Sequence, residues 1–151
     1  MITKGKEKQS FEKGLTREGV FEHVAAMKKD GDRFVVKPYI KKYEGNNAHD
    51  RLLCGGYCYG LMFMSRDTVD CFTLRMSPET AECLLKSHKI TPAETDCGND
   101  WYRLPVDGSL NTNEEIFRIL DACYDFTLNE FYLKRRRKDV CRVLCNVSQS
   151  G

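Results

Sequence analysis

The strand, turn and helix encoded between residues 100 and 126 constrain this fold more than any other part of the chain. Trp101 to Val106 is a short, largely apolar run, and Asp107-Gly108 behind it is a turn signal. Thr112-Asn113-Glu114-Glu115 has the spacing of a capping box, which starts a helix. That helix carries one apolar stripe, formed by Ile116, Phe117, Leu120, Cys123 and Tyr124. A strand that leads into a helix with one apolar face predicts helices packed on a sheet.

Two further helices are predicted upstream. The first should begin at the N-cap Thr16 and stop at Lys28 to Gly31, where glycine can adopt the left-handed capping conformation. Its apolar face is predicted to contain Val20, Phe21, Val24, Ala25 and Met27. The second should begin at Ser77-Pro78-Glu79, which supplies a hydroxyl cap, a proline at the first helical position and an early acid. Its inner face is predicted to contain Ala81, Leu84 and Leu85, with His88 at its end.

A meander of three strands is predicted between these two helices. The strands should run from Arg33 to Tyr43, from Arg51 to Met64 and from Val69 to Met76, with a polar loop over residues 44–50. Pro38 cannot donate to a ladder, so it favours an edge strand or a bulge. The second strand is apolar on both faces, which favours a central position, and Gly55-Gly56 is interpreted as a bulge or local strand geometry.

The predicted order of elements is α-β-β-β-α-β-β-α-α, in which residues 126–132 form a last helical segment. Helices segregated from a twisted antiparallel sheet define the α+β class. A chain of 151 residues fits one domain of about 100–200 residues. We assign residues 1–10 to a flexible basic arm, 11–138 to the α+β domain and 139–151 to a C-terminal extension without a predicted conformation.

Charge and hydropathy predict a cytoplasmic protein without a membrane partner. The net charge of +2, from 24 basic and 22 acidic residues, is too small to imply nucleic acid as a partner of the whole molecule. No apolar run approaches the ~20 residues that span a membrane. The N-terminal residues also lack the apolar core of a secretory signal.

Eight cysteines leave two interpretations, a disulfide framework or reduced thiols that pack as small apolar side chains. Cys58, Cys71 and Cys83 lie in apolar periodic stretches, which favours reduced thiols. Two pairs, Cys54 with Cys58 and Cys141 with Cys145, are spaced more widely than the pairs of zinc knuckles. We therefore predict no metal and no cofactor, with a four-thiolate site or a single disulfide as minor alternatives.

Several motifs occur in an order that is typical of one protein family. Leu74 to Ala81 runs from a strand through Ser-Pro-Glu into a helix, Ile90-Thr91-Pro92 forms a turn, Trp101 lies in a strand, and Ala122 to Phe126 ends a helix. Together these segments resemble the MmcQ/YjbR family of small bacterial proteins over residues 16–134. Cys123 stands where the family usually has serine, and Phe126-Thr127 where it has leucine-valine.

A second resemblance involves Leu53-Cys54-Gly55-Gly56-Tyr57, which is similar to the N-terminal domain of the TfoX competence regulator. Both resemblances imply a secretion-chaperone-like or CyaY-like fold. The MmcQ/YjbR resemblance also implies DNA as a partner and no defined catalytic residues.

The strongest charge feature is a basic run, formed by Lys134, Arg135, Arg136, Arg137 and Lys138. Such a run can neutralise phosphates without reading sequence. It is equally typical of a solvated helix end, where cations are favoured by the helix dipole. Tyr132 beside the run could stack on a base.

Four aromatic residues on the predicted strands form a candidate groove: Tyr57, Tyr59, Trp101 and Tyr102. If they share an uncovered sheet face, they can line a site for a ligand or partner. If helices cover that face, they belong to the core, and this interpretation is favoured. Trp101 and Tyr102 are adjacent in one strand and should point to opposite faces.

The sequence contains no pattern of a reaction centre. His23, His49 and His88 do not lie in a motif that places a base beside a nucleophile. Gly55-Gly56 is not followed by the lysine and helix of a phosphate-binding loop. We therefore predict a non-enzymatic binding protein, with DNA as the partner that the resemblance implies and a homodimer through exposed strand edges as a candidate assembly. The alternative is a small-molecule or protein-partner module with a pocket between the sheet and the C-terminal helices.

Overall fold

A six-stranded antiparallel sheet is the centre of the fold in a computed structural model, which describes residues 14–27, 38–43, 49–93 and 100–134. The elements in chain order are α1 (Arg17–Ala26), β1 (Tyr39–Tyr43), β2 (His49–Cys54), β3 (Tyr57–Ser65), β4 (Thr68–Arg75), α2 (Pro78–Lys86), β5 (Thr91–Pro92), β6 (Trp101–Pro105) and α3 (Asn113–Thr127). The strands lie in the order β1-β2-β3-β4-β6-β5, and every neighbouring pair is antiparallel. The predicted single α+β domain is confirmed.

The segment predicted as one central strand is a hairpin. β2 ends at Cys54, the chain turns at Gly55-Gly56, and β3 returns beside β2. Gly55 has a φ of +63°, a left-handed conformation that glycine adopts without steric cost. The single-strand interpretation was wrong because two apolar runs separated by two glycines are typical of a hairpin. His49 and Asp50 also belong to β2 and not to the predicted polar loop.

The sheet edges follow from short or proline-flanked strands. β1 is an edge strand that begins directly after Pro38, as the proline predicted. The predicted start of this strand at Arg33 lies outside the described residues. The two-residue β5 forms the other edge through its pairing with β6.

All three predicted helix starts are confirmed. The hydroxyls of Thr16, Ser77 and Thr112 accept hydrogen bonds from backbone N–H groups three residues later, at 3.0, 3.2 and 3.1 Å. The predicted apolar face of α1 is too wide, because Phe21 is 39% exposed and only Val20 and Val24 are buried within the helix. The predicted inner face of α2 is confirmed for Ala81, Leu84 and Leu85, which pack in or against the main core, whereas His88 beyond the end of the helix is exposed.

Backbone geometry explains where α2 stops. His88 is exposed and has a φ of 59°, so it terminates the helix in the left-handed region. α1 ends at Ala26, and the predicted stop at residues 28–31 lies outside the described part of the chain.

The two C-terminal helices that were predicted separately are one continuous helix. α3 passes from Thr127 into a π-helical turn, Leu128–Tyr132, which leads to Leu133 and Lys134. The observed order is therefore α-β-β-β-β-α-β-β-α. None of the described helices combines the length and the apolar character that crossing a membrane requires. Residues 1–10 and 139–151 lie outside the described part of the chain.

The helices pack against one face of the sheet, which we call the inner face. The main core joins this face to α1 through Val20, to α2 through Ala81 and to α3 through Ile116, Leu120 and Tyr124. Its members on the sheet include Leu52, Tyr59, Met62, Phe72, Leu74 and Leu104. Side chains alternate along a strand, so residues between these positions point to the opposite side, which we call the outer face. Leu53, Cys71 and Trp101 are buried on the outer face but do not belong to the main core.

None of the five described cysteines forms a disulfide. Cys54, Cys71 and Cys123 are buried and Cys58 is half-buried, as expected for small apolar side chains. Cys83 is exposed on α2, which contradicts its predicted place in the core. The other three cysteines lie outside the described residues.

The capping box of α3 makes stability depend on pH in the acidic range. The Thr112 backbone N–H donates to Glu115 at 2.8 Å and Lys89 donates at 3.1 Å, and these bonds hold the pKa of Glu115 at about 2 instead of 4.5. The stabilisation is therefore complete above about pH 4.5 and is lost as the pH falls towards about 2. In urea titrations, the parent should unfold at higher urea than Glu115→Gln near neutral pH, and this gap should close over that range. A gap that stays constant down to pH 2 would contradict the assignment.

Candidate functional site

A row of side chains with basic residues at both ends crosses the outer face. The antiparallel register pairs Lys41 with Arg51, Arg51 with Leu61, Leu61 with Thr73, and Thr73 with Arg103. Directly opposed residues lie on the same face, so these five form one line, which we call the basic row. Lys41, Arg51 and Arg103 are exposed. With strands about 4.8 Å apart, the four strand spacings from Lys41 to Arg103 span about 19 Å.

The pairs on either side of the basic row contain no carboxylate. His49, Phe63, Cys71 and Pro105 lie on one side, and Arg75 pairs with Trp101 on the other. Asp70 is adjacent to Cys71 in the chain, at a register shift, and accepts a hydrogen bond from Ser65. No acid therefore stands at these paired positions, and Arg51 Nε donates a hydrogen bond to His49 Nε2 at 3.3 Å.

The Cys71 thiol beside the basic row remains protonated. Burial raises the pKa of the Cys71 thiol, while the charge of Arg103 partly offsets this effect. A protonated thiol is a poor nucleophile. The geometry of the outer face therefore favours binding through charge over covalent chemistry.

Arg75 contacts two aromatic rings at the end of the sheet. Its guanidinium carbon is 4.8 Å from the Trp101 ring centroid and 4.2 Å from that of Phe131. Phe131 comes from the π-helical turn that extends α3 and also contacts Tyr57, with ring centroids 6.1 Å apart. We call Trp101 and Phe131 the aromatic clamp. Two cation–π contacts to one guanidinium restrict the orientation of the Arg75 side chain.

The charge of Arg75 has no carboxylate partner among the described residues. Other half-buried cations differ: Arg17 donates to Asp50 at 2.7 and 2.8 Å, and Lys89 donates to Glu115 at 3.1 Å. The Nε–H group of Arg75 is buried and has no hydrogen-bond acceptor in the described part of the chain. Arg75 is therefore a positioned cation whose donors the described fold does not saturate.

The structure separates the four residues of the predicted groove. Trp101 and Tyr57 both contribute to the cluster around Phe131. Tyr59 is fully buried against Tyr124 of α3, and Tyr102 packs against the main core on the inner face. As predicted, Trp101 and Tyr102 point to opposite faces.

Only the start of the predicted basic run falls within the described residues. Lys134 lies at the end of α3 and donates to Glu130 at 2.9 Å, while residues 135–138 lie outside. Sequence reasoning missed Lys41, Arg51, Arg75 and Arg103. Alternation within each strand could have indicated their common face, but their alignment depends on cross-strand register.

A pocket of about 630 Å³ lies at the start of α3, lined by residues that include Gly14, Val106, Asp107 and Asn111. Asn111 is 3% exposed, and neither its amide nitrogen nor its amide oxygen has a partner among the described residues. Hydrogen bonds from the Ser109 backbone and hydroxyl lower the pKa of Asp107, so the rim is anionic. This pocket favours a neutral or cationic ligand.

Buried phenols and thiols lie where α3 meets the sheet. Burial raises the pKa of both Tyr59 and Cys123, so neither group ionises near neutral pH. Tyr59 contacts Tyr124 with its ring centroid at 5.6 Å, in an edge-to-face arrangement. These groups are packing elements of the core. In the described ranges, no three His, Cys, Asp or Glu side chains come together in a way that could hold a metal ion.

Comparison of the sequence with protein-family models finds no matching family, and comparison with curated proteins finds no match.

Proposed function

We propose that this chain is a non-catalytic binding protein that holds DNA by its phosphate backbone on the outer face of the sheet. The observation that carries the proposal is the basic row, in which Lys41, Arg51 and Arg103 are exposed, Leu61 is half-buried and Thr73 is buried, with no acid among its members. A surface of this kind attracts phosphates and does not require a high net charge for the whole molecule.

The dimensions of the basic row suit a phosphate backbone. One strand of a duplex carries a phosphate for about every 3.4 Å of axis, so about 19 Å corresponds to five or six phosphates. Three basic residues, Lys41, Arg51 and Arg103, lie along this length, and Arg75 lies beside them. Together these side chains can contact three or four of the phosphates. Such contacts position a nucleic acid but carry no direct information on base sequence.

The basic run begins at Lys134, three residues after Phe131, which contacts Arg75. Lys134 itself donates to Glu130 at 2.9 Å. The MmcQ/YjbR resemblance, with DNA as its implied partner, agrees with this proposal and remains a prediction.

The proposal predicts DNA binding that is sensitive to salt and independent of sequence. Three or four phosphate contacts correspond to a slope of about −3 to −4 in a plot of log K against log salt, or roughly a 100-fold loss of affinity between about 50 and 200 mM. The double charge reversal Arg51→Glu with Arg103→Glu should weaken binding about tenfold or more and reduce the slope by about 2. Fluorescence anisotropy with a labelled duplex, titrated with salt, measures both quantities.

Lys86→Glu with Arg118→Glu is the matched control, because both residues are exposed on helices and carry the same total charge. This control should bind like the parent. Equal affinities for the two double variants would contradict a site on the outer face. If only Arg135→Glu with Arg136→Glu weakens binding, the interface is the basic run and not the sheet.

The pocket at the start of α3 favours a second candidate function, binding of a small polar molecule. Its support is the buried carboxamide of Asn111, whose donor and acceptor have no partner among the described residues. A ligand with an adjacent acceptor and donor, such as a carboxamide, would complement it. A thermal-shift screen comparing the parent with Asn111→Leu separates this function from DNA binding.

A further inference from the structure

We propose that the guanidinium edge of Arg75 is a dedicated phosphate site, which the aromatic clamp orients to bind one backbone phosphate through two parallel hydrogen bonds. This inference rests on the proposed DNA-binding function and names the residue that anchors the strand. The basic row supplies exposed cations, whereas Arg75 supplies a cation whose orientation is restricted by two rings.

The register places Arg75 within reach of the same nucleic acid as the basic row. Arg75 follows Thr73 by two residues on β4, and Trp101 precedes Arg103 by two residues on β6. At about 3.4 Å per residue, the Arg75–Trp101 pair is about 7 Å from the row. One backbone can therefore contact Arg103 and Arg75 together.

The surroundings of Arg75 select the kind of ligand. The guanidinium carbon lies 4.8 Å from the Trp101 ring centroid and 4.2 Å from that of Phe131, so these rings restrict stacking of a base on Arg75. Because the Nε–H is buried, an oxyanion would bind the two terminal nitrogens, whose planar arrangement matches two phosphate oxygens. A cation held by aromatic rings is already partly desolvated and ordered, so binding costs less side-chain entropy.

The second ring of the clamp lies in a π-helical turn at the end of α3. The turn Leu128–Tyr132 includes Phe131, whose ring contacts Arg75, Tyr57 and Phe126. π-helical turns are frequently found at functional sites, which agrees with this inference.

The test compares two lysine substitutions that conserve charge. Arg75→Lys removes the planar fork, so affinity for a DNA duplex should fall about 10–100-fold while the salt slope stays the same. Arg103→Lys keeps a point charge at an exposed position and should change affinity by less than about threefold. Equal losses for the two variants, or parent-like binding by Arg75→Lys, would overturn the inference and leave the basic row as the whole site.

Phe131→Leu provides a second variant that leaves Arg75 in place. It removes one ring of the clamp and should produce a smaller loss of affinity, again without a change in slope. Parent-like affinity in this variant would show that the clamp does not orient Arg75. Thermal unfolding of each variant identifies any that do not fold.

Trp101 reports on this site independently of DNA binding, because it is the only tryptophan in the sequence and stacks on Arg75. Inorganic phosphate should change its fluorescence in the parent, and the change should be absent in Arg75→Lys. Sodium chloride at equal ionic strength is the control. If the parent binds no DNA, the proposed function fails, and the phosphate response alone then decides for or against the Arg75 site.

Discussion

Replacing Arg17 by methionine should lower the free energy of unfolding by an amount near the lower end of the range of roughly 3–5 kcal/mol that is typical of a broken buried ion pair. Arg17 Nε and Nη2 donate to the two oxygens of Asp50 at 2.7 and 2.8 Å, joining α1 to β2 across 33 positions of the chain. The Asp50 side chain is only 3% exposed, so loss of Arg17 leaves a buried carboxylate. The Arg17 side chain is 30% exposed and Lys42 lies opposite Asp50 in the register, which moderates the effect.

Chemical denaturation against a matched ion pair measures the contribution of burial. Arg118 donates to Glu114 at 2.8 Å, but both side chains are more than 70% exposed. Arg118→Met should therefore cost no more than about 0.5 kcal/mol. Similar losses for the two methionine variants would mean that distance, and not burial, sets the strength of these pairs.

Replacing Gly60 by valine should lower the free energy of unfolding by at least about 1–3 kcal/mol, because the core has no room for a side chain at this position. An added Cβ at Gly60 would lie 2.7 Å from Leu74 Cδ2 and 2.9 Å from Leu52 Cδ1. Both leucines are fully buried, so neither can rotate away. Gly60 lies in β3, between β2 and β4, so any shift of its backbone also strains two ladders.

Gly56→Ala is the control for Gly60, because an added Cβ at Gly56 meets nothing within 4 Å. This substitution should be neutral or should stabilise the fold slightly, since alanine restricts the unfolded chain. Urea titration of Gly60→Val, Gly60→Ala and Gly56→Ala should give unfolding free energies in increasing order. Parent-like stability of Gly60→Val would show that Leu52 and Leu74 can repack.

Features that depend on a few neighbouring residues could be predicted without coordinates. The hydroxyl caps at Thr16, Ser77 and Thr112 were predicted correctly, because a cap bonds to an N–H group three residues away. Pro38 correctly predicted an edge, because a residue without an N–H cannot complete a central ladder.

Errors occurred where local patterns support two structures. The run from Arg51 to Met64 is apolar on both faces as one strand, but it also fits two strands separated by Gly55-Gly56. The covered inner face of the sheet stabilises the hairpin, because Leu52, Tyr59 and Met62 then all reach the main core. The four residues of the predicted groove do not lie together, and cross-strand pairing is again the reason. The pairing of β2 with β3 shifts by one residue at Leu52/Leu53, and Tyr59 beside this shift is fully buried.

The α+β class, the helix starts and one sheet edge follow from the sequence alone, because these features depend on spacings of a few residues. The candidate site, in contrast, depends on tertiary packing. Lys41, Arg51 and Arg103 become one row through the registers of five strands, and Arg75 meets Phe131 from a helix that begins 38 positions later in the chain. Registers and helix ends of this kind follow from the packing of the whole core, which no local pattern contains.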